Sequence, residues 1–263
     1  MRAHRWEHRE LHCALTEEPI EREDMRVAPK VIFLLRDESG YGPALAEEFL
    51  PNPSSNHTRS ESSFELSLEK YGITDCKASC DAIQFIDVDG SPQVTILLVP
   101  NYEPPIAACA VNEILSWTTS ESFCVQPTII VPYITKSLKN DQELINSTTS
   151  EKQTTLYAAV IGSRNDLTGA VCAGTMSSPP TFRLYCETLA CLLQMVRVLK
   201  LTTVFLIASA SGKGTLTSEL EMLKQLGSFI AGHLNLSFSK DKLQLKEKER
   251  SAAAQEPWRD LYG

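Results

Sequence analysis

The chain has 263 residues, 43% of them hydrophobic, and a formal net charge of −8. That length and apolar content suffice for one sizeable buried core. The acidic balance, with no basic stripe anywhere, excludes a nucleic-acid or anionic-membrane binder, because both need a concentrated basic face.

Residues 1–28 mix both charge signs and contain no apolar run long enough for a signal peptide, so they are expected to form a disordered leader. His4, His8 and His12 would share one helical face, with Cys13 following, but in so polar a leader the pattern reads as a solvated charge run and no metal site is expected. No segment offers about 18 consecutive apolar residues, so no membrane span is expected. The protein is therefore expected in the cytoplasm or also the nucleus, and the sequons at Asn56, Asn146 and Asn235 are expected to stay unused. The eight cysteines are scattered, none in CxxC spacing, and read as reduced thiols in apolar surroundings.

The folded part is expected to span 29–238. It opens with the strand-like run KVIFLL at 30–35, followed by a polar insert at 36–63 dense in Ser, Pro, Gly and Asn, which reads as a loop or a disordered insert. Two apolar runs around Asp89-Gly90 predict a β-hairpin within 82–100. The DVDG within it imitates the start of a calcium loop, but Pro92 stands where that loop needs glycine, so the turn reading prevails. Residues 106–117 read as a helix entered through Pro105, with apolar positions at 107, 111, 114 and 115.

Two further strands are expected within 122–134 and 154–162. Pro127 and Pro132 make the first irregular or an edge strand. Residues 181–201 place Leu184, Thr188, Leu192, Met195 and Leu199 along one side of a helix, flanked by Leu189, Leu193 and Val196, a face broad enough to pack on a sheet. A buried strand at 202–210 follows. The next helix, 216–234, carries Ser218 and Glu221 in capping-box spacing and Leu220, Leu223 and Ile230 inward. Helices interleaved with strands predict a single layered α/β domain with a mostly parallel or mixed central sheet flanked by helices.

Catalytic patterns are sparse. Between the last strand and helix, ASASGKGT at 208–215 resembles a phosphate loop, but its leading glycine would fall at Ile207 and the magnesium-binding hydroxyl after Lys213 is replaced by Gly214. No GxSxG or HExxH occurs, and beyond residue 60 the histidine is His233 alone, which reads as a half-exposed packing residue. No catalytic residue and no cofactor are expected.

Residues 239–263 read as a flexible tail, rich in Lys, Glu, Gln and Ala, that finishes on PWRDLYG. A coil of two dozen residues spans roughly 27 Å. Leu261 can fill an apolar slot, Tyr262 can stack and donate its hydroxyl, and Gly263 presents the carboxylate. The alternative is that Leu261 and Tyr262 fold back onto their own domain.

Leu261-Tyr262-Gly263 resembles the hydrophobic-tyrosine-any-residue terminus with which proteasome activators and assembly chaperones enter pockets between α subunits of the core particle. WTTSESFCV at 117–125 and the helix–strand pair at 179–209 are similar to the proteasome assembly chaperone 1 family. That resemblance implies an α/β chaperone that is not an enzyme, scaffolds the proteasome α-ring, pairs with a related second chaperone as a heterodimer, and docks its last three residues on proteasome α subunits. A nucleotide- or nucleoside-handling enzyme using the 208–215 turn is the alternative.

Overall fold

The computed structural model describes residues 26–37, 39–119, 126–135, 154–178, 182, 184–210, 216–240 and 243. In chain order the elements are β1 (Lys30–Arg36), α1 (Tyr41–Glu48), β2 (Phe49–Pro51), β3 (Thr58–Leu66), a 3-10 turn (Glu69–Tyr71), β4 (Ala78–Ile86), β5 (Pro92–Pro100), α2 (Ile106–Thr118) and β6 (Thr128–Thr135). They continue with β7 (Thr154–Ile161), α3 (Asp166–Ala173), β8 (Met176–Ser177), α4 (Glu187–Val198), β9 (Thr203–Ala210), α5 (Leu216–Leu234) and β10 (Leu236–Phe238).

Eight strands form one mixed sheet in the order β3-β4-β5-β1-β6-β9-β7-β8. Its centre, β5-β1-β6-β9, is parallel, and the outer β3-β4 and β7 run antiparallel to their inner neighbours. The central strands read as continuous apolar runs because both of their faces are covered. Ile32 and Leu34 of β1 and Val204 and Leu206 of β9 point to the layer holding α1, α3 and α5. Val31, Phe33, Phe205 and Ile207 point to the opposite layer, built from α2 and α4. This is the layered α/β domain expected from the interleaved pattern. β2 and β10 pair separately, with the Phe49 and Phe238 rings 5.2 Å apart.

Several local expectations change. The segment 36–63, read as a polar loop, carries α1, β2 and the start of β3. α1 escapes a periodicity search because it is short and carries glycine and proline in its first turn, yet it buries its own Ala44, Leu45 and Ala46. β3 is polar because it lies at the edge of the sheet with most side chains in water. Residues 26–28, assigned to the leader, belong to the body: Val27 and Ala28 are buried, and the Ala28 amide donates to Thr95 Oγ1 at 3.0 Å.

β6 is central, although its prolines suggested an edge. The Thr128 amide points to β1, donating to Pro29, and the Ile129 amide points to β9, donating to Thr202. That alternation aims Pro132 nitrogen at β1, beyond Ile130, where the β1 ladder has already ended. The missing donor therefore costs no ladder bond. α4 is shorter than its apolar pattern: it starts at Glu187, and Leu199, expected on the packed side, is 45% exposed beyond its end. α5 begins at Leu216, so Ser218 lies inside its first turn, whereas Asn165 and Thr168 form a capping box on α3.

The hairpin between β4 and β5 closes as expected. Gly90 has φ 77°, and Asp87 Oδ1 accepts from the amides of Asp89 and Ser91 at 3.0 and 3.1 Å. Among the described residues no helix is long and apolar enough to cross a membrane. Among them, too, no group of three or more His, Cys, Asp or Glu side chains could hold a metal ion. His4, His8, His12 and Cys13 lie outside the described residues.

Candidate functional site

β1 stays paired with β5 as far as Arg36 and Pro100, and β6 with β9 as far as Thr135 and Ser209. Between β1 and β6, however, pairing stops at Ile32 and Ile130. Beyond that point the two parallel ladders part company and a crevice of about 560 Å³ opens at their carboxyl ends. The chain leaves β1 toward β5 and leaves β6 toward β9, so the opening lies where the strand order reverses, the usual ligand position of an open α/β sheet.

The turn from β1 into α1 builds one wall. Asp37 follows the strand directly, and its Oδ1 accepts from the amide of Tyr41 at 2.9 Å and from that of Gly42 at 3.5 Å, which occupies the amide donors at the start of α1. Gly40, at φ 70°, adopts the left-handed conformation that the turn requires. Gly42 is needed for a different reason: a Cβ there would stand 1.8 Å from the carbonyl oxygen of Leu35, so only glycine lets α1 lie this close to β1.

The opposite wall comes from β6 and the approach to α4. Tyr133, Phe182 and Phe205 form an aromatic triangle with ring centroids 5.7–5.9 Å apart. Asn101, just after β5, ties down α4: its Oδ1 accepts from Thr188 Oγ1 at 2.9 Å and from the Cys186 thiol at 3.7 Å. Tyr185, 82% exposed, stands at the mouth.

Among the described lining residues the charged side chain is that of Asp37. Burial holds the Asp37 carboxyl above the usual aspartate range, outweighing the backbone amides that would lower it. Burial likewise raises the Tyr133 phenol, with Cys186 and the Asp37 charge adding to it. Tyr41 is raised by burial and then by the neighbouring Glu219 carboxylate. The described lining contains no Lys, Arg or His. His233 is half-buried on α5, its Nδ1 2.9 Å from the Phe229 carbonyl and its ring 4.4 Å from the Phe229 ring, consistent with packing.

Of the residues singled out in the sequence, Leu261, Tyr262, Gly263 and Lys213 lie outside the described residues. The strand half of the 208–215 turn is described: Ala208 and Ser209 pair with Ile134 and Thr135 in β9. The tail expected from residue 239 is attached to the body further along than that. The Ser239 amide donates to the Glu48 carbonyl, and Leu243 is buried in the same cluster as Leu234 and Leu236. Asp37, Tyr41, Gly42 and Tyr133 went unnoticed in the sequence. The usable signal was RDESGYGP, an aspartate at a strand end followed by two glycines and a proline.

Solved structures share this fold. PbaB of Pyrococcus furiosus, an archaeal proteasome activator, is 14% identical with a TM-score of 0.51, over 86% of this chain and 92% of that one. A Mycobacterium tuberculosis protein of unknown function, Rv2714, is 11% identical with a TM-score of 0.53, over 86% and 77%. PbaA of Pyrococcus furiosus, an archaeal homolog of proteasome-assembly chaperone, is 12% identical with a TM-score of 0.48, over 86% and 90%. At these identities the likeness to PbaB and Rv2714 is one of fold. No curated protein matches the sequence. A family model does match residues 25–263, and the chain belongs to the family which that model describes, the domain of unknown function DUF7894.

Proposed function

We propose that this protein is a non-enzymatic assembly factor for the proteasome core particle, acting in the cytoplasm or nucleus and holding α subunits through its C-terminal Leu261-Tyr262-Gly263. The observation that carries the reading is this terminus on a chain that shares the fold of an archaeal proteasome activator. The resemblance of 117–125 and 179–209 to the proteasome assembly chaperone 1 family supports it. A related second chaperone completes the heterodimer in this proposal. Val198, 77% exposed, and Leu199 offer apolar surface for it at the end of α4.

Twenty residues separate the anchored Leu243 from Gly263. A coil of that length spans about 25 Å, enough for the terminal side chains to reach a pocket on another protein. The test compares the intact chain with one lacking 261–263 in a pull-down of proteasome α subunits. Tyr262→Ala should weaken binding by about 2 kcal/mol or more, roughly thirtyfold. One alanine added after Gly263 should also weaken it, by moving the carboxylate roughly 3.5 Å. Neither change should shift the melting temperature. A lowered melting temperature with α-subunit binding intact would mean that the terminus packs on its own domain and would end this proposal.

A further inference from the structure

We propose that the crevice between the carboxyl ends of β1 and β6 binds a small organic cation, a primary ammonium or guanidinium head carried on an aliphatic stem. Its volume of about 560 Å³ fits a small ligand, and its position is the one where open α/β sheets receive them.

Anions are disfavoured by the architecture itself. A phosphate or carboxylate at this position would use the amides at the start of α1, and those of Tyr41 and Gly42 already bond to Asp37. It would also meet the Asp37 carboxylate, which lines the crevice. A neutral apolar ligand fares little better, since it would strip further water from a carboxyl that burial already penalises.

A cation reverses each of these terms. Asp37, Tyr41 and Tyr133 line the crevice together. Glu219 of α5 adds negative charge beside Tyr41. Tyr133 and Tyr185 supply aromatic faces, which attract ammonium and guanidinium groups. Leu35, Val131 and Leu189 line the crevice with apolar surface suited to an alkyl stem.

The groups that set the pH response are Asp37 at the end of β1, Tyr41 on α1, Tyr133 on β6, Tyr185 and Cys186 before α4, and Glu219 on α5. Of these, burial holds Asp37 above the usual aspartate range, so affinity falls as pH drops through its titration and the carboxylate is protonated.

The experiment titrates the full-length chain by calorimetry with agmatine, spermidine, a blocked arginine peptide, ATP and inorganic phosphate. Saturable binding of agmatine or spermidine is expected, with ATP and phosphate inert. Asp37→Asn keeps an oxygen to cap α1, so the fold should persist while affinity falls at least roughly tenfold, the loss of one charge-assisted bond. Tyr133→Leu should weaken binding in the same direction, and Asp166→Asn, on exposed α3, should leave it unchanged. Agmatine bound more tightly than the peptide assigns a free amine as ligand, and the reverse order assigns a partner's basic side chain. Absence of saturable binding by any of the three cations, unchanged affinity in Asp37→Asn, or preferential binding of ATP or phosphate overturns the proposal.

Discussion

Replacing Gly42 by alanine tests how the β1–α1 wall of the crevice is held. The added methyl would sit 1.8 Å from the Leu35 carbonyl oxygen and 2.8 Å from its carbon, a backbone contact that no side-chain rotation relieves. α1 must therefore retreat from β1 by more than an ångström. A gap of that size forfeits much of the dispersion contact of Ala44, Leu45 and Ala46, all buried. It also pulls the Tyr41 amide away from Asp37, worth about 1 kcal/mol as a cap. Overpacking of this kind costs about 1–3 kcal/mol, so with the cap a loss near 3 kcal/mol is expected. At about 2–4 °C per kcal/mol for a domain of this size, the melting temperature should fall by about 10 °C. Gly169→Ala is the matched control: an exposed glycine within α3 with nothing within 4 Å of the new methyl, expected to stabilise by about 0.5–1 kcal/mol. Calorimetric melting of both variants decides the matter. A Gly42→Ala melting temperature within a degree or two of the parent would refute the close-approach argument.

Other outcomes follow from the polar groups. Glu113, buried on α2, accepts from the Tyr71 hydroxyl at 2.8 Å and pairs with Lys70, so Glu113→Ala should cost about 2 kcal/mol in chemical denaturation. Lys70→Ala should cost under about 1 kcal/mol, because that ammonium is half exposed; equal losses would contradict the assignment of Glu113 as the buried partner. Asp37 titrates higher folded than unfolded, so the folded chain binds more protons between the two values and this residue's contribution to stability falls as pH rises through that window. Asp37→Asn should flatten that part of the stability profile, and an unaltered profile would count against the buried carboxyl. Tyr262→Ala should lose α-subunit binding at constant melting temperature.

What could be read from residues alone is what local periodicity encodes. β1, the β4–β5 hairpin, β7, β9, α2 and α5 announce themselves because their apolar residues recur at strand or helix spacing. From their alternation the layered α/β class followed. α1, β2, β3 and α3 did not announce themselves. Their sequences are short, polar or rich in glycine, and they persist because other elements cover or pair with them: β3 with β4, β2 with the distant β10, and α1 on β1. Pro132 shows the same limit from the other direction. Proline in a strand argues for an edge, yet whether its absent donor matters depends on where the neighbouring ladder ends, and only the packed sheet determines that. The crevice is a further step removed from local sequence. It exists because β1 and β6 diverge after Ile32 and Ile130, and there Asp37 and Tyr41 of the β1–α1 turn meet Tyr133 from a distant strand, a juxtaposition set by non-local pairing and written in no single stretch of residues.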